Sequence, residues 1–426
     1  MADSGVSCTV RLDRKSTIIP ARPSQPRQCK LCSSDLQILG SSSEGVVYIN
    51  CNDTGAEFVE ALAPELGVAE IMADNVSPVV QQLFHLNGAL NMDGCVLPLL
   101  VVQIKNRHSH QLFTEIVQRL LKNVILNFFI LFDMQATKLR DGLALGLTVN
   151  HSVIGGTSLW HFINCWAQLC RDSSSLTPNI SLPPLHTRSF GTTPPINLNL
   201  HHHKIEKISL STLPLREKMF HFTAQTISKL KREANQGASK DPKISSFQAL
   251  CAHIWLAITR ARGLLPTEET TFKLPVDCRP RIVPPLPSSY FGNAIQMVGT
   301  SIKAGELLGR GMGHAADLLH CIISGHQDAN IRAQLGKAPT LIEMDKFIPK
   351  NCVSVGSSAR FPMYENDFGW GRPIGVRSGW VNKFDGKMSA YPRREGGGSV
   401  DIEICLLPQT MSALESDPDF LFSCSH

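Results

Sequence analysis

Between Leu143 and Leu169 the chain changes its hydrophobic period. In LALGLTVN, Leu143, Leu145, Leu147 and Val149 share one face while Ala144, Gly146 and Thr148 keep the other small, as in a strand packed on both sides. Gly155 and Gly156 then mark a turn, Thr157 or Ser158 is placed to cap a helix, and Leu159, Phe162, Ile163, Trp166 and Leu169 recur at helical spacing. Alternation giving way to a helical stripe across a glycine turn reads as a strand, a tight connection and a helix packed back on its sheet. His151 stands at the carboxyl end of that strand, where α/β folds bind their ligands. A neutral imidazole, with an ordinary pKa of about 6.5, is suited to taking a proton from a hydroxyl or amine near neutral pH. Histidines in such places are also structural, so the pattern of residues by itself leaves both roles open.

The same alternation of β-type and helical stretches runs along the chain. Val46–Cys51 and Leu97–Ile104 read as further strands, and Leu215–Glu233 places Phe220, Phe222, Ile227 and Leu230 in a pattern that ends as a helix. No solenoid-type repeat is present. Asp172–Lys204, rich in Ser, Thr, Pro and Asn, lacks sustained periodicity and reads as a solvated linker. At 426 residues the chain has room for two or three domains, and the linker divides it into two. A net charge of +5 without long basic runs argues against a nucleic-acid partner.

No run of about 20 apolar residues is present, so no membrane span is expected. Val124–Phe132 is the most lipid-like stretch, and it contains Asn127 and ends at Asp133. The opening residues lack a signal-peptide core, which points to the cytoplasm and to reduced thiols for the 13 cysteines. The lone CxxC at Cys29 and Cys32 has no second pair at zinc spacing, and the adjacent His201, His202 and His203 cannot all face one ion, so no metal is expected. Gly309, Gly311 and Gly313 follow a helical pattern rather than a strand, which argues against a dinucleotide loop. A second compact motif, DFGWGRP at Asp367–Pro373, combines two glycines with Phe368 and Trp370 as candidate buried anchors. It lacks the HRD-type loop, strand lysine and glycine-rich loop of a kinase.

His151 within VNHSVIGGTSLWHFINCWAQL, followed by DFGWGRP, resembles the BAHD family of plant acyl-CoA-dependent acyltransferases. KISSFQALCAHIW (Lys243–Trp255), VDCRPRIVPPLPSSYFGNAI (Val276–Ile295) and the stretch Val376–Met411 agree with it, as does Thr9–Gly40 with SSDLQILG. The resemblance implies an α/β fold of two chloramphenicol-acetyltransferase-like domains, with mixed β-sheets flanked by helices and a channel between them. The N-terminal domain would be 1–171, the crossover linker 172–204 and the C-terminal domain 205–426, the last carrying DFGWG. It implies transfer of an acyl group from acyl-CoA, a co-substrate rather than a bound cofactor, to a hydroxyl or amine of a small metabolite of plant specialised metabolism. His151 is then the general base of a direct attack without an acyl-enzyme, in a monomer. Asp367, Phe368, Gly369, Trp370 and Gly371 are implied to be structural, holding the second domain together. Lys243, Ser245 and Ser246 would line the CoA channel, and Gly356 and Ser358 the substrate pocket.

The chain departs from the family in four places. The family motif HxxxDG has Gly155 where its aspartate stands, and the arginine partner of that aspartate, Arg279 or Arg281, is expected to be left uncompensated. That suggests weakened activity, which Gly155→Asp should relieve. Gly356-Ser357-Ser358 replaces a Thr-Ser-Trp, implying an altered pocket. A family segment is missing after Gly40, and Lys105–Ala136 is an atypical insertion beside the strand of His151. Two alternatives follow from these departures: a catalytically weakened paralogue that binds a small molecule, or a pocket repurposed for elimination.

Overall fold

The structure, a computed structural model, describes residues 9–18, 28–32, 35, 48–50, 56–89, 101–103, 132–171, 180–191, 214–236, 244–335, 348–379 and 383–424. Two compact units divide the chain. The first comprises Met1–Leu198, Pro287–Asn293 and Pro362–Val381, the second Asn199–Leu286, Ala294–Phe361 and Asn382–His426.

In the first unit, β1 (Arg11–Ile18), β2 (Gln28–Lys30), β3 (Tyr48–Asn50), β4 (Ala56–Ala63), β5 (Val101–Gln103), β6 (Phe132–Leu139) and β7 (Leu143–Val149) follow in chain order. β2 and β3 form a separate antiparallel ribbon, and the others make one mixed sheet. β6 is its hub, parallel to β4 and β5 and antiparallel to β7. The β6–β7 hairpin closes through Leu139 N–H donating to Gly142 O at 3.0 Å. Ala63, Leu66, Ile71, Val79, Val80, Leu83 and Leu139 form a buried cluster beside the sheet.

Three expectations change here. Among the described residues β7 pairs only with β6; its residues are mostly half-buried and Leu143 is exposed, so the strand is not packed on both faces. Gly146 is nonetheless enclosed, because a Cβ there would run into the Leu83 carbonyl. The segment read as an insertion ends inside the sheet: Phe132–Ala136 pairs in register with Val149–Leu145, while 105–131 lies outside the described residues. Residues 180–191 of the supposed solvated linker are pinned to the first unit. Leu185 N–H donates to Ser289 O at 2.8 Å, Phe291 N–H donates to Leu185 O at 2.9 Å, and Ile180 and Phe190 are buried.

The second unit holds β8 (Arg216–Phe222), β9 (Glu269–Asp277), β10 (Ile295–Lys303), β11 (Cys352–Val355), β12 (Lys387–Pro392) and β13 (Val400–Leu406) in the order β10-β9-β11-β12-β13-β8. β11 runs parallel to both neighbours and the remaining pairs are antiparallel. The stretch opening at Leu215 is thus strand β8 before it becomes the helix Ala224–Gln236. Leu250, Ile254, Trp255 and Ile258 of helix Ser246–Ala261 pack with Phe272, Val353, Ile402 and Ile404 of the sheet in one buried core. The three glycines at 309, 311 and 313 lie in helix Ala304–Ser324, kinked at Gly311 where φ is 70°. The whole is a two-domain α/β fold with mixed sheets flanked by helices. Among the described residues no helix is long and apolar enough to cross a membrane.

Trp255 is fully buried and its indole N–H donates to Thr270 Oγ1 at 2.9 Å. Trp255→Ala is expected to destabilise the second unit by about 3–5 kcal/mol, read as a lower denaturant midpoint, and Trp255→Phe to cost clearly less.

Candidate active site

The functional geometry starts at the end of β7. His151 lies half-buried in the turn after the strand, and the chain around it is held by backbone groups. Val153 N–H donates to Asn150 O at 3.0 Å, and Ser152 N–H to Asn150 Oδ1 at 3.1 Å. The His151 carbonyl accepts from Asn293 Nδ2 at 2.8 Å, and the Val153 carbonyl from Arg188 Nη1 at 2.8 Å. Gly155 N–H reaches Gly292 O at 3.4 Å. The helix then opens two or three residues earlier than a cap at Thr157 or Ser158 implies. It spans Gly156–Arg171, with Leu159 N–H donating to Gly155 O at 3.0 Å.

Thr157 and Ser158 therefore sit inside the first turn and do not cap it. Ser158 is buried instead against the segment Tyr290–Asn293: its Oγ donates to Gly292 O at 3.0 Å and accepts from Gly292 N–H at 3.0 Å. Phe162, Ile163, Trp166 and Leu169 are buried as the stripe requires, and Leu159 is half-buried.

Behind the turn lies a carboxylate that sequence reasoning passed over. Asp35 is fully buried, and its Oδ1 accepts from Arg188 Nη1 at 3.2 Å, Asn293 Nδ2 at 3.0 Å and Asn293 N–H at 3.3 Å. Its Oδ2 accepts from Cys32 N–H and Cys32 Sγ, both at 3.1 Å. SSDL and YFGNA were visible as stretches of family resemblance, but nothing in a single sequence couples positions 35, 188 and 293.

The expected partners of the absent motif aspartate are elsewhere. Arg279 Nη1 pairs with Asp277 Oδ1 at 3.1 Å, and Arg281 Nη1 donates to Ile323 O at 2.7 Å and His326 O at 3.0 Å, all within the second unit. Neither arginine is uncompensated. Gly155 itself faces Asn293: a Cβ there would lie 3.1 Å from Asn293 Oδ1 and 3.7 Å from Gly292 O.

DFGWG is also relocated. Segment 362–381 belongs to the first unit, because the helix of the His151 turn holds it: Phe368 is buried edge-on against Trp166, with centroids 4.5 Å apart, and Arg171 Nη1 donates to the Asp367 carbonyl. Asp367 Oδ1 accepts from Gly369 N–H at 2.8 Å and Gly371 N–H at 2.9 Å, which holds its carboxyl below the usual carboxylate range. Both glycines adopt positive φ, 102° and 98°, conformations that only glycine takes freely. Trp370 is 56% exposed and stacks on Phe368 rather than serving as a second buried anchor.

The remaining candidates sit in the second unit. Ser245 caps helix Ser246–Ala261 in a capping box, its Oγ accepting from Gln248 N–H at 3.2 Å and its N–H donating to Gln248 Oε1 at 2.7 Å. Lys243 and His201–His203 lie outside the described residues. Gly356 lies against its neighbour, so that a Cβ there would make the Lys387 ammonium move aside. Ser358 makes a turn, Oγ accepting from Arg360 N–H at 3.2 Å. Desolvation, reinforced by Lys383, pushes the Lys387 pKa down to about 8.

Several other histidines and cysteines are engaged elsewhere. His161 Nε2 meets Leu182 O at 2.8 Å, His221 pairs with Asp401 at 2.7 Å, His326 meets Gln296 Oε1 at 2.8 Å, and burial pushes His253 down to about 4. Burial raises the thiols of Cys165 and Cys352 to about 11 and Cys170 to about 12, which suppresses thiolate. Among the described residues no His, Cys, Asp or Glu group gathers as a metal site.

A profile of the Transferase family matches residues 105–421. The BAHD acyltransferase DCR of Arabidopsis thaliana is 35% identical over 405 residues, covering 90% of this chain and 76% of that protein. The chain belongs to the BAHD acyltransferase family. Solved structures agree on the fold of this BAHD protein. Vinorine synthase superposes with a TM-score of 0.62 at 18% identity, over 98% of this chain and 99% of that one. TRI101 of F. sporotrichioides, complexed with coenzyme A and T-2, gives 0.55 at 21% identity over 69% and 70%.

Two outcomes follow. Gly155→Asp should lower the melting temperature rather than raise it, because its carboxylate would face Asn293 Oδ1 and the Gly292 carbonyl; thermal unfolding checks this. For Lys387 the folded pKa lies below its unfolded value, so its charge opposes folding at neutral pH and this opposition fades as pH rises above about 8. Lys387→Met should therefore raise the melting temperature at pH 7 and give a shrinking gain as the scan pH is raised toward about 10.4, the unperturbed lysine pKa.

Proposed function

We propose that this chain moves an acyl group from acyl-CoA to a hydroxyl or amine of a small plant metabolite, with His151 as the general base. The observation that carries the reading is the turn Asn150–Gly155, in which His151 stands at a strand end with its backbone held through Asn293 and Arg188. Membership of an acyltransferase family and the coenzyme A bound by TRI101 support the donor.

In this scheme the His151 imidazole takes the acceptor's proton as its oxygen or nitrogen bonds to the thioester carbonyl carbon. The tetrahedral intermediate collapses by breaking the C–S bond, the electron pair leaves on the CoA sulfur, and the imidazolium returns the proton to that sulfur. Histidine ends neutral and no acyl-enzyme forms. High thiol pKa values at Cys165, Cys170 and Cys352 support that economy, because those sulfurs are poor nucleophiles. Ser246, at the start of a capped helix, and Lys243 stay the candidates for CoA. The hydroxyl of Ser245 is occupied by its cap. Gly356, which leaves room for the Lys387 side chain, and Ser358 are the candidate pocket residues. Asp367 and its glycines serve as scaffold for the helix that follows His151.

The test is release of free thiol from a panel of acyl-CoAs with hydroxyl and amine acceptors. His151→Ala should lower kcat by on the order of 10²–10⁴ while CoA binding, read by calorimetry, persists. Unchanged turnover in His151→Ala would remove the base from the scheme. Ligand binding without turnover in the unmodified chain would favour the small-molecule-binding alternative.

A further inference from the structure

We propose that Asp35 is a positioning residue for His151, acting through Asn293 and Arg188. This rests on the reading of His151 as the base.

Gly155 offers no side chain to its surroundings, yet the turn it closes is held at its carbonyls by two side chains. Asn293 Nδ2 donates to the His151 carbonyl at 2.8 Å, and Arg188 Nη1 donates to the Val153 carbonyl at 2.8 Å. Both donor groups are shared with one oxygen, Asp35 Oδ1, at 3.0 Å and 3.2 Å. Asn293 N–H, at 3.3 Å from the same oxygen, fixes the backbone from which its amide projects. The Arg188–Asp35 pair is almost wholly buried, with side chains 5% and 0% exposed, so neither charge can turn to water instead. The other oxygen is anchored by Cys32 N–H and Sγ at 3.1 Å, which stops the carboxylate from rotating away. Asp35 thus determines where two donors point, and those donors determine where the backbone on either side of the imidazole lies.

The chemistry favours a charged oxygen at this point. A carboxylate accepts from all five groups at once, whereas an amide at position 35 would present one donor to groups that are themselves donors. Replacing it should loosen Asn293 and Arg188 together and let His151 drift. Displacements of that kind cost catalysis far more than binding.

The experiment compares Asp35→Asn, Asn293→Ala and Tyr391→Phe in the full chain. Tyr391→Phe is a remote control that removes a buried hydrogen bond to Glu403 Oε2, 2.7 Å long, in the second unit. Thiol release from acyl-CoA and backbone hydrogen exchange at Ser152, Val153 and Gly155 are measured on each folded variant. Asp35→Asn and Asn293→Ala should lower kcat by on the order of 10- to 100-fold, with the KM for acyl-CoA within about threefold. They should also speed exchange at those amides by at least about tenfold. Tyr391→Phe should lower the melting temperature without either effect.

A folded Asp35→Asn with unaltered exchange and kcat overturns the proposal, as does a loss of activity no larger than its unfolded fraction. If Asp35→Asn does not fold, Asn293→Ala decides: it leaves the Arg188–Asp35 pair in place, and unaltered turnover and exchange in it are equally fatal. If the unmodified chain releases no thiol, the reading of His151 as base fails by itself, and the exchange measurement still decides whether Asp35 holds the turn.

Discussion

A polar side chain with no access to water must find its hydrogen-bond partners inside the fold, and the buried carboxylate of Asp35 meets that requirement beside the His151 turn. Its two oxygens accept from Cys32, Arg188 and Asn293, so three segments far apart in the chain meet at one point. Each donor also reaches onward or fixes a neighbour: Asn293 holds the His151 carbonyl, Arg188 the Val153 carbonyl, and the Tyr290–Gly292 backbone docks on Ser158. Removing one partner of such a buried pair typically costs about 3–5 kcal/mol, a large part of the usual margin of folding. The segment 287–293 is accordingly part of the first unit although its neighbours on both sides in sequence belong to the second.

The aspartate–glycine motif follows a similar logic at the surface. Asp367 is half-buried, and two N–H groups of glycines with positive φ donate to its carboxylate and curl the chain around it. That curl presents Phe368 to Trp166 and the Asp367 carbonyl to Arg171, both on the helix that begins at the His151 turn. A motif that reads as glue for the second half is therefore a brace for the helix that follows His151. Trp370 stays exposed and stacks on Phe368.

Much of the local structure was legible. The strand at Leu143–Val149 and the helix stripe at Phe162, Ile163, Trp166 and Leu169 both form, because each depends on the period of side chains along one element. The helical setting of Gly309–Gly313 is likewise local. Errors arose where a residue's partner lies far away. Ser158 has the chemistry of a cap, but a buried backbone 134 residues on claims its hydroxyl. Arg281 looked like an orphan of a missing aspartate, yet the Ile323 and His326 carbonyls, far along the chain, satisfy it. The polar composition of 172–204 suggested solvent, whereas Leu185 bridges to Tyr290 and Arg188 carries a buried charge.

The amino-acid sequence by itself determined the α/β class, the helix and strand around His151, and the family to which the chain belongs. These rest on periodicity and on short motifs whose residues are contiguous. Only the tertiary structure decided which unit DFGWG braces, which arginine meets which carboxylate, and why Gly155 does not leave the turn unsupported. The reason is physical: a buried charge takes whichever donors the fold brings within about 3 Å, and that choice follows from packing in three dimensions rather than from spacing along the chain.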